Sequence, residues 1–444
     1  MTTTNRKPFY RQKRFWIRLA LAPVFLVLVA WLIVWIEVQR GLADLRSRSI
    51  PTTLEELDEY YQLSDGSPNT TQEWVTSIDS ARKALRQVEL SEDFFKHFRN
   101  VKALKQDDWW SEHESRAREL IAVSQEALRQ ARVAAEVDGV VRYPSEFAEG
   151  TLFRPRSFDW DYYSERILRL DTLVAAHDGD FTRAASDVTS MLAFVNASRF
   201  HAGSDAVYNA ARYSRIAKTI ALSNPESWLE RDLARVQSQL SAIDLRTAWT
   251  RYMRGEVAQT LGAIQHESPT YLLAVNQREV LRFFDTVLAA EGQTWPEIYD
   301  KHWDGIDAWY AIYNSSELKK EIYRPLRTVG YASDRLTASM ARFETMVRCA
   351  ELILAAARHH HRHGEFPDSG GAIDKDLFSE GMPPMDPWAP TEPIKLMRSM
   401  DSVTAYGVGP NQTDDRGQIE FIDGEEPDDI GLTWPISDTD EENK

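Results

Sequence analysis

The chain has 444 residues, of which 43% are hydrophobic and 27% are charged, and this balance excludes both a wholly disordered chain and a multi-span membrane protein. Its 68 acidic and 52 basic residues give a net charge of −16, which disfavours nucleic acid as a partner because phosphates need a basic surface. The single cysteine, Cys349, excludes an intrachain disulfide and a cysteine-based zinc cluster. The length exceeds what one hydrophobic core usually serves, so we expect more than one domain.

A membrane anchor is predicted near the N-terminus. Residues 19–36 form an uncharged apolar run of 18 residues, at the short end of the length that crosses a hydrocarbon core of ~30 Å as a helix. We therefore predict a transmembrane helix over residues 19–37, in contact with the lipid bilayer. Residues 1–18 contain six basic residues and no acid, so the positive-inside rule makes them a cytoplasmic segment. The sequence predicts a single-pass protein of the inner (cytoplasmic) membrane with its bulk in the periplasm.

A cleaved signal peptide is the alternative, because Gly41-Leu42-Ala43 loosely matches a small-x-small cleavage site. The apolar run is longer than the ~7–15 residues of a signal-peptide core, which favours an uncleaved anchor. Residues 1–40 carry seven basic residues and one acidic residue, so the rest of the chain has a net charge of −22. The exported part is predicted to be strongly acidic.

Residues 41–333 are predicted to form a helical extracytoplasmic domain. Thr53 and Glu56 have the spacing of a capping box at a helix start. Apolar residues recur every three or four positions up to residue 177, stop at Asp178-Gly179-Asp180, and resume from Phe181, which indicates two helices joined by a short turn. A fixed repeat period is absent from the sequence, so we expect a bundle-like array rather than a solenoid.

Three further features of the helical part have structural interpretations. Asn224-Pro225-Glu226 offers an N-cap, a proline suited to the first helical position and an acid near the positive dipole end, which predicts a helix start at Pro225. The aromatic residues of the stretch 295–331 are able to form a stacking platform for glycans or peptides, but their large buried area favours helix packing. Cys349 lies beside an apolar helical stripe and is predicted to be a buried small hydrophobe.

A histidine cluster follows that stripe and comprises His359, His360, His361 and His363. His359 and His363 are four positions apart and share a helix face, a spacing that is able to hold one divalent metal ion and that opens a metal-sensing function. The alternative is a solvated last helical turn whose basic side chains suit the negative dipole end, before Gly364 as the C-cap. Two ligands make a weak site, so the sequence favours the alternative.

The C-terminal stretch is strongly acidic. Residues 411–444 contain twelve acidic and two basic residues, and clustered carboxylates in a turn-rich loop suit a hard cation such as calcium. An EF-hand is excluded, because aligning its invariant glycine with Gly417 puts Gln412 and Arg416 at ligand positions. The alternative is a solvated charge run. Residues 436–444 are predicted to be a disordered acidic tail.

The order of features in the last hundred residues resembles the globular head of the major (G-type) pseudopilins of type II secretion systems. The features are Gly364-Glu365-Phe366-Pro367, Met385-Asp386-Pro387-Trp388, Tyr406-Gly407-Val408-Gly409-Pro410-Asn411, Asp414-Asp415 and Asp428-Asp429-Ile430-Gly431. The resemblance implies an α+β domain over residues 334–435, in which a helix packs on a small antiparallel sheet and a C-terminal loop binds calcium. It makes these residues candidate metal ligands: Asp414, Asp415, Asp428 and Asp429.

The N-terminal part departs from the pilin pattern. Glu37 stands at the end of the apolar run, whereas pilins have a glutamate near the start of theirs, so the chain lacks a polymerising pilin N-terminus. The pseudopilin-like head is therefore interpreted as grafted onto another anchored protein. The remainder resembles uncharacterised single-span helical envelope proteins of bacteria.

The fold class predicted from these features is mainly α, with an N-terminal transmembrane helix, a helical bundle-like array and a small C-terminal α+β pseudopilin-like domain. Because the sequence contains no catalytic motif, we expect a non-enzymatic interaction or assembly protein of the bacterial envelope, linked to type II secretion-like machinery, with other envelope proteins as partners. The alternative is an extracytoplasmic enzyme acting on cell-wall material through carboxylates. An enzyme should have a concave pocket with converging carboxylates of shifted pKa, whereas a scaffold should have a broad patch or groove.

Overall fold

The structure is a computed structural model that describes residues 13–61, 68–88, 107–137, 139–141, 157–198, 205–270, 272–323, 327–419 and 427–435. These residues are mainly helical, with a small antiparallel sheet near the C-terminus, so the prediction of a mainly α chain is confirmed. The α-helices are α1 (Lys13–Ser47), α2 (Leu54–Tyr60), α3 (Thr71–Gln87), α4 (Asp107–Val123), α5 (Gln125–Ala135), α6 (Ser157–His177), α7 (Phe181–Ala197), α8 (Asp205–Leu222), α9 (Glu230–Ser241), α10 (Leu245–Glu267), α11 (Leu273–Leu288), α12 (Trp295–Tyr313), α13 (Glu317–Ile322) and α14 (Arg327–His363). The predicted tail at 436–444 lies outside the described residues, as do residues 1–12.

Helix α1 is long and apolar enough to cross a membrane by length and composition, and the segment of it that meets this test runs from Trp16 to Ser47. Large apolar side chains of residues 16–36 are exposed, whereas Val38 and Leu45 on the same helix are buried. This part of α1 packs on α11, and Gly41 lies so close to α11 that an added Cβ would sit 3.0 Å from Leu281 Cδ1. One continuous helix therefore has an apolar segment exposed on all sides and a segment packed into the folded domain.

The predicted two-helix hairpin is confirmed. Helix α6 ends at His177, Gly179 adopts a left-handed φ of +75°, and α7 begins at Phe181. The Asp180 side chain caps α7 by accepting a hydrogen bond from the Arg183 N–H at 3.2 Å. At the start of α2, Thr53 caps Glu56 N as expected, but the Glu56 side chain returns to Thr52 N instead of Thr53 N.

The helix start predicted at Pro225 is wrong. Residues Pro225–Ser227 form only a single 3₁₀ turn, and α9 begins at Glu230. Asn224 has a φ of +47°, in the left-handed region, so it turns the chain instead of capping a helix. The indole of Trp228 is buried and donates to the Ser223 carbonyl, which holds this turn in place.

Helix α14 is the central element of the domain. It packs against α8, α9, α10 and α12, and its other side supports the sheet. Cys349 is buried on this helix with Sγ 3.7 Å from the Ile430 carbonyl, which agrees with a small hydrophobe in the core. Small side chains at Ala350 and over residues 355–357 let neighbouring elements approach closely. One hydrophobic cluster extends from Val38 to Trp434, across the boundary predicted at residue 334.

The sheet has three antiparallel strands in the order β1 (Lys395–Arg398), β2 (Ser402–Gly407) and β3 (Ile430–Pro435). In the central strand, Ala405 is opposite Leu396 of β1 and Leu432 of β3. The strands β2 and β3 pack on α14. Within the described residues, all three strands lie in the part predicted to be an α+β domain, whereas the pseudopilin-like identity of this part stays a prediction.

Candidate functional site

A pocket of about 340 Å³ opens between α14, the start of α12, the end of α9 and the loop 380–390. Its wall carries four carboxylates (Glu344, Glu351, Glu380, Asp386) and two guanidinium groups (Arg246, Arg348). Among the described residues lining the pocket, acids thus outnumber bases. Prolines of the loop make the outer wall of the pocket stiff, because each ring fixes one backbone angle.

Arg348 is fixed at the floor of this pocket. Its Nη2 donates to the Ile243 carbonyl at 2.6 Å, and its Nη1 donates to the carbonyls of Leu240 and Ser241 at 3.3 Å. The Leu240 and Ser241 carbonyls lie in the last turn of α9 and Ile243 lies just beyond it, where a cation opposes the helix dipole. The guanidinium thus holds α9 against α14.

Two glutamates of α14 share this one arginine. Glu344 lies one turn before Arg348, with Oε1 3.6 Å from Nη2, and Glu351 lies one turn after it, with Oε2 3.3 Å from Nη1. Glu344 Oε2 also accepts a hydrogen bond from Trp295 Nε1 at 2.9 Å. Burial nevertheless raises the pKa of both carboxyls, and for Glu351 the neighbouring Glu380 charge acts in the same direction. Arg348, together with the Arg246 charge acting on Glu344, does not fully compensate the burial of the two carboxylates.

Asp386 positions the loop wall of the pocket. Its Oδ1 accepts from Trp388 N at 2.9 Å, and its Oδ2 accepts from Val408 N at 2.7 Å, which ties the loop to the end of β2. Burial raises its pKa despite these backbone donors. A Cβ at Gly407 would lie 2.8 Å from Asp386 Oδ2 and from Thr345 Cγ2, so only glycine fits at this strand end.

A separate titratable group lies where α2 crosses α10. Glu256 of α10 accepts a hydrogen bond from the Tyr252 hydroxyl, and burial raises the pKa of Glu256 to about 7. The crossing is close, because a Cβ on Gly255 would overlap the Tyr61 hydroxyl. Neither residue of the Tyr252–Glu256 pair was singled out by the sequence, since spacing along one helix does not reveal what covers it.

The four aspartates predicted as calcium ligands belong to one loop region but have different environments. Asp429 is buried and accepts backbone hydrogen bonds from Gly417 N at 2.8 Å and Asp415 N at 3.4 Å, while burial raises its pKa. Asp414 pairs with Lys395 at 2.8 Å, and this partner lowers its pKa. Asp428 is exposed. Residues 420–426 of the predicted loop lie outside the described residues, and calcium binding stays a prediction.

The four clustered histidines divide into two pairs at the end of α14. The His360 ring stacks on Phe366 with centroids 4.1 Å apart, and His361 Nε2 contacts the Glu226 carbonyl. The rings of His359 and His363 lie side by side with centroids 4.3 Å apart. Asp374, from the loop that follows α14, joins this second pair. The sequence indicated the two histidines, but Asp374 could not be found by helical spacing because it belongs to another segment.

No family model, curated protein or solved structure matches this chain. Proposals about its function therefore depend on the geometry and charges of its own residues.

Proposed function

We propose that this chain is a membrane-anchored interaction or assembly protein of the bacterial envelope. In this proposal, residues 19–37 cross the inner membrane, the N-terminus is cytoplasmic, and the folded bulk is periplasmic, where it meets other envelope proteins. The protein acts by binding instead of by catalysis. Its recognition site is the acidic pocket around Arg348, which accepts a lysine or arginine side chain of a partner.

The anchor part of the proposal is supported by the continuity of α1. The signal-peptidase alternative would cut at residues 41–43, inside the segment of α1 that packs on α11. Cleavage there would separate Val38 from Leu45, both of which are buried in the same core. Protease added to spheroplasts should digest the folded part and leave a short membrane fragment. A mature N-terminus at Asp44 would overturn the anchor.

The binding part rests on one observation, the sharing of Arg348 by Glu344 and Glu351. Their raised pKa values mean that the charged carboxylates are insufficiently stabilised by the protein alone. A cation entering the pocket supplies the missing opposite charge, and the excess of acids over bases selects a positive group. The exposed Met382 and the loop prolines provide apolar surface for the aliphatic stem of such a side chain.

Site-specific cross-linking in cells tests this site. A photoreactive residue at Met382, on the pocket rim, should capture a defined partner, and Glu380→Lys should abolish the product by adding positive charge to the rim. Glu119→Lys, on the exposed side of α4, is the matched control and should leave the product unchanged. Equal loss from both variants, or an unchanged product in Glu380→Lys, would remove the pocket from the proposal.

The same proposal includes a pseudopilin-like α+β domain over residues 334–435 with a link to type II secretion-like machinery. It is supported by the packing of α14 on a three-stranded antiparallel sheet and by Asp429 beside the turn at Gly417. Calcium is the proposed ligand of the loop carrying Asp414, Asp415, Asp428 and Asp429. Thermal melts of the full chain should then shift upward with calcium but not with magnesium, and Asp429→Ala should cancel the shift. An equal shift with both cations would indicate diffuse binding to acidic surface.

An extracytoplasmic enzyme acting on cell-wall material is the second candidate, because the pocket is concave and carries carboxylates of raised pKa. Purified full-length protein incubated with peptidoglycan separates the two candidates. Release of soluble fragments that is lost in Glu344→Gln and in Glu351→Gln would favour the enzyme. Absence of release, together with cross-linking from position 382, would favour the interaction protein.

A further inference from the structure

The last turn of α14 and the loop after it form a compact polar site that is separate from the pocket. Gly364 ends the helix with a left-handed φ of +77°, and the chain then returns so that Asp374 lies beside the final turn. His359, His363 and Asp374 each place one ligand atom within 4.8 Å of the others. Among the residues that the structure describes, this is the one group of three histidine, cysteine or acidic side chains that meets that distance.

Asp374 is held toward the histidines by a second contact. Its Oδ2 lies 2.8 Å from His363 Nε2 and accepts a hydrogen bond from Arg362 Nη1 at 2.9 Å. Arg362 also donates to Asp376 Oδ1 at 2.9 Å, so the guanidinium fixes the turn that carries both acids. Such outer contacts are the usual means by which a protein orients a carboxylate ligand before the metal arrives.

His359 provides an independent sign that a ligand belongs here. Its side chain is only 8% exposed, and its Nδ1 is buried without a hydrogen-bond partner among the described residues. A buried ring nitrogen without a partner costs free energy unless another atom satisfies it. The neighbouring His363 ring is tilted by 39° to the His359 ring, with centroids 4.3 Å apart, and a carboxylate oxygen of Asp374 lies within 4.8 Å of a ring nitrogen of each.

We infer that His359, His363 and Asp374 bind one divalent transition metal ion of the Zn²⁺ class. Imidazole nitrogens and a carboxylate oxygen are ligands that such ions prefer, and two histidines four positions apart on a helix present both rings to one ion. Ligand atoms bonded to one zinc ion are roughly 3–4 Å apart, so the present spacing needs only a small rotation of the side chains. This inference does not depend on the function proposed for the pocket.

A bound ion would have two effects at this end of the domain. It would join α14 to the turn at Asp374 and so fix the loop that leads to the pocket wall. It would also retain at least one open coordination position, because three protein ligands leave room for water or a partner's donor atom. His363 and Asp374 are 40% and 36% exposed, so this open position faces solvent.

Zn²⁺ titration of the full-length protein in detergent tests the site, with purification through a tag that contains no histidine. Wild type should bind one equivalent with a dissociation constant in the micromolar range or below, and Co²⁺ should give the visible absorption of a low-coordinate site. His363→Ala and Asp374→Asn should each weaken Zn²⁺ binding by more than about 100-fold, because even outer-contact variants typically lose 10–100-fold. Arg362→Gln should weaken Zn²⁺ binding by the smaller factor of about 10–100-fold.

The controls separate the site from a histidine-rich surface. A double variant, His360→Ala with His361→Ala, removes the other half of the cluster and should bind Zn²⁺ like wild type. Asp374→Asn keeps the shape of the side chain, and its circular dichroism spectrum should match that of wild type, so loss of binding would not reflect unfolding. Unchanged affinity in Asp374→Asn, or equal loss in the double variant, would overturn the inference.

Discussion

Two buried clusters of acids and arginines in this molecule have opposite electrostatic balance. Between α6 and α8, Glu165 receives two hydrogen bonds from Arg215 and lies 3.6 Å from Arg212. These arginines lower its pKa although the carboxylate is fully buried. In the pocket of α14, Glu344 and Glu351 share Arg348, the Arg246 charge acts on Glu344 as well, and burial still raises the pKa of both carboxyls.

The first cluster is a structural ion pair, whereas the second is suited to binding a further cation. Where arginines outnumber the carboxylate, the charged form is stabilised within the protein and needs no other cation. Where carboxylates outnumber the arginine, the protein leaves part of the negative charge uncompensated. The number of partners for each charge, and not burial alone, thus decides which acidic cluster is suited to binding.

Removal of Arg348 should have the largest effect on stability. Arg348→Met leaves two buried glutamates without their shared partner and removes the guanidinium hydrogen bonds to three carbonyls of residues 240–243, and we expect a loss of about 3–5 kcal/mol in the free energy of unfolding. The loss should be smaller at pH 5 than at pH 8, because protonated glutamates no longer need the arginine. Urea denaturation at both pH values measures it. Arg129→Ala, in an exposed pair with Glu126, should leave the free energy of unfolding nearly unchanged.

Glu256 extends the comparison to a buried carboxyl whose hydrogen-bond partner is a tyrosine hydroxyl instead of an arginine. Because its pKa is about 7 in the folded protein and near 4.5 in the unfolded chain, it should reduce stability as pH rises between those values. Glu256→Gln should therefore gain roughly 1–3 kcal/mol at pH 8 and little at pH 4.5. Thermal denaturation of Glu256→Gln and of wild type across this pH range measures the difference. Stabilities of the two proteins that changed in parallel with pH would contradict the expectation.

Neutral substitutions in the two clusters should give pH profiles of opposite sign. Glu165 has a lowered pKa, so its stabilising contribution is present above pH ~4.5 and is lost on acidification. Glu165→Gln should destabilise by about 1–2 kcal/mol at pH 7, and this penalty should shrink toward pH 3. Glu351→Gln should instead be neutral or slightly stabilising at pH 7. Matching pH profiles for the two variants would mean that the number of arginine partners does not control the protonation of these two carboxyls.

The smallest effect is expected at the edge of the sheet, where Lys395 pairs with Asp414 in partly exposed surroundings. Lys395→Met should change the free energy of unfolding by less than about 1 kcal/mol at physiological salt, because exposed pairs are screened by solvent. The variant is also informative for calcium, since it frees an Asp414 oxygen. A larger loss would indicate that this pair supports the sheet.

Several elements were predicted correctly from local patterns in the sequence. The hairpin at Asp178-Gly179-Asp180 depends on residues within one turn, and so does the cap at Thr53. Asn224 is the exception, because the burial of Trp228 and a left-handed backbone override its capping tendency. Helical spacing also placed His359 and His363 on one face, which the structure bears out.

The parts that the sequence did not reveal depend on contacts between distant segments. Asp374 reaches His363 only because Gly364 reverses the chain. The pocket requires Trp295, Glu344 and Asp386 from separate elements, and nothing in their individual neighbourhoods distinguishes them from ordinary core or surface residues. Charge balance in a buried cluster is a property of the folded assembly, so composition cannot give it.

The continuity of α1 has a mechanical consequence for the proposed anchored protein. From Val38 to Ser47 the helix rises about 15 Å, and its packing on α11 leaves no flexible linker between the apolar segment and the folded domain. The domain would then keep a fixed distance from the membrane surface and a fixed orientation relative to the anchoring helix, so it would rotate only when that helix rotates. Partners would meet the pocket by lateral diffusion in two dimensions, and torque applied to either end would be transmitted to the other.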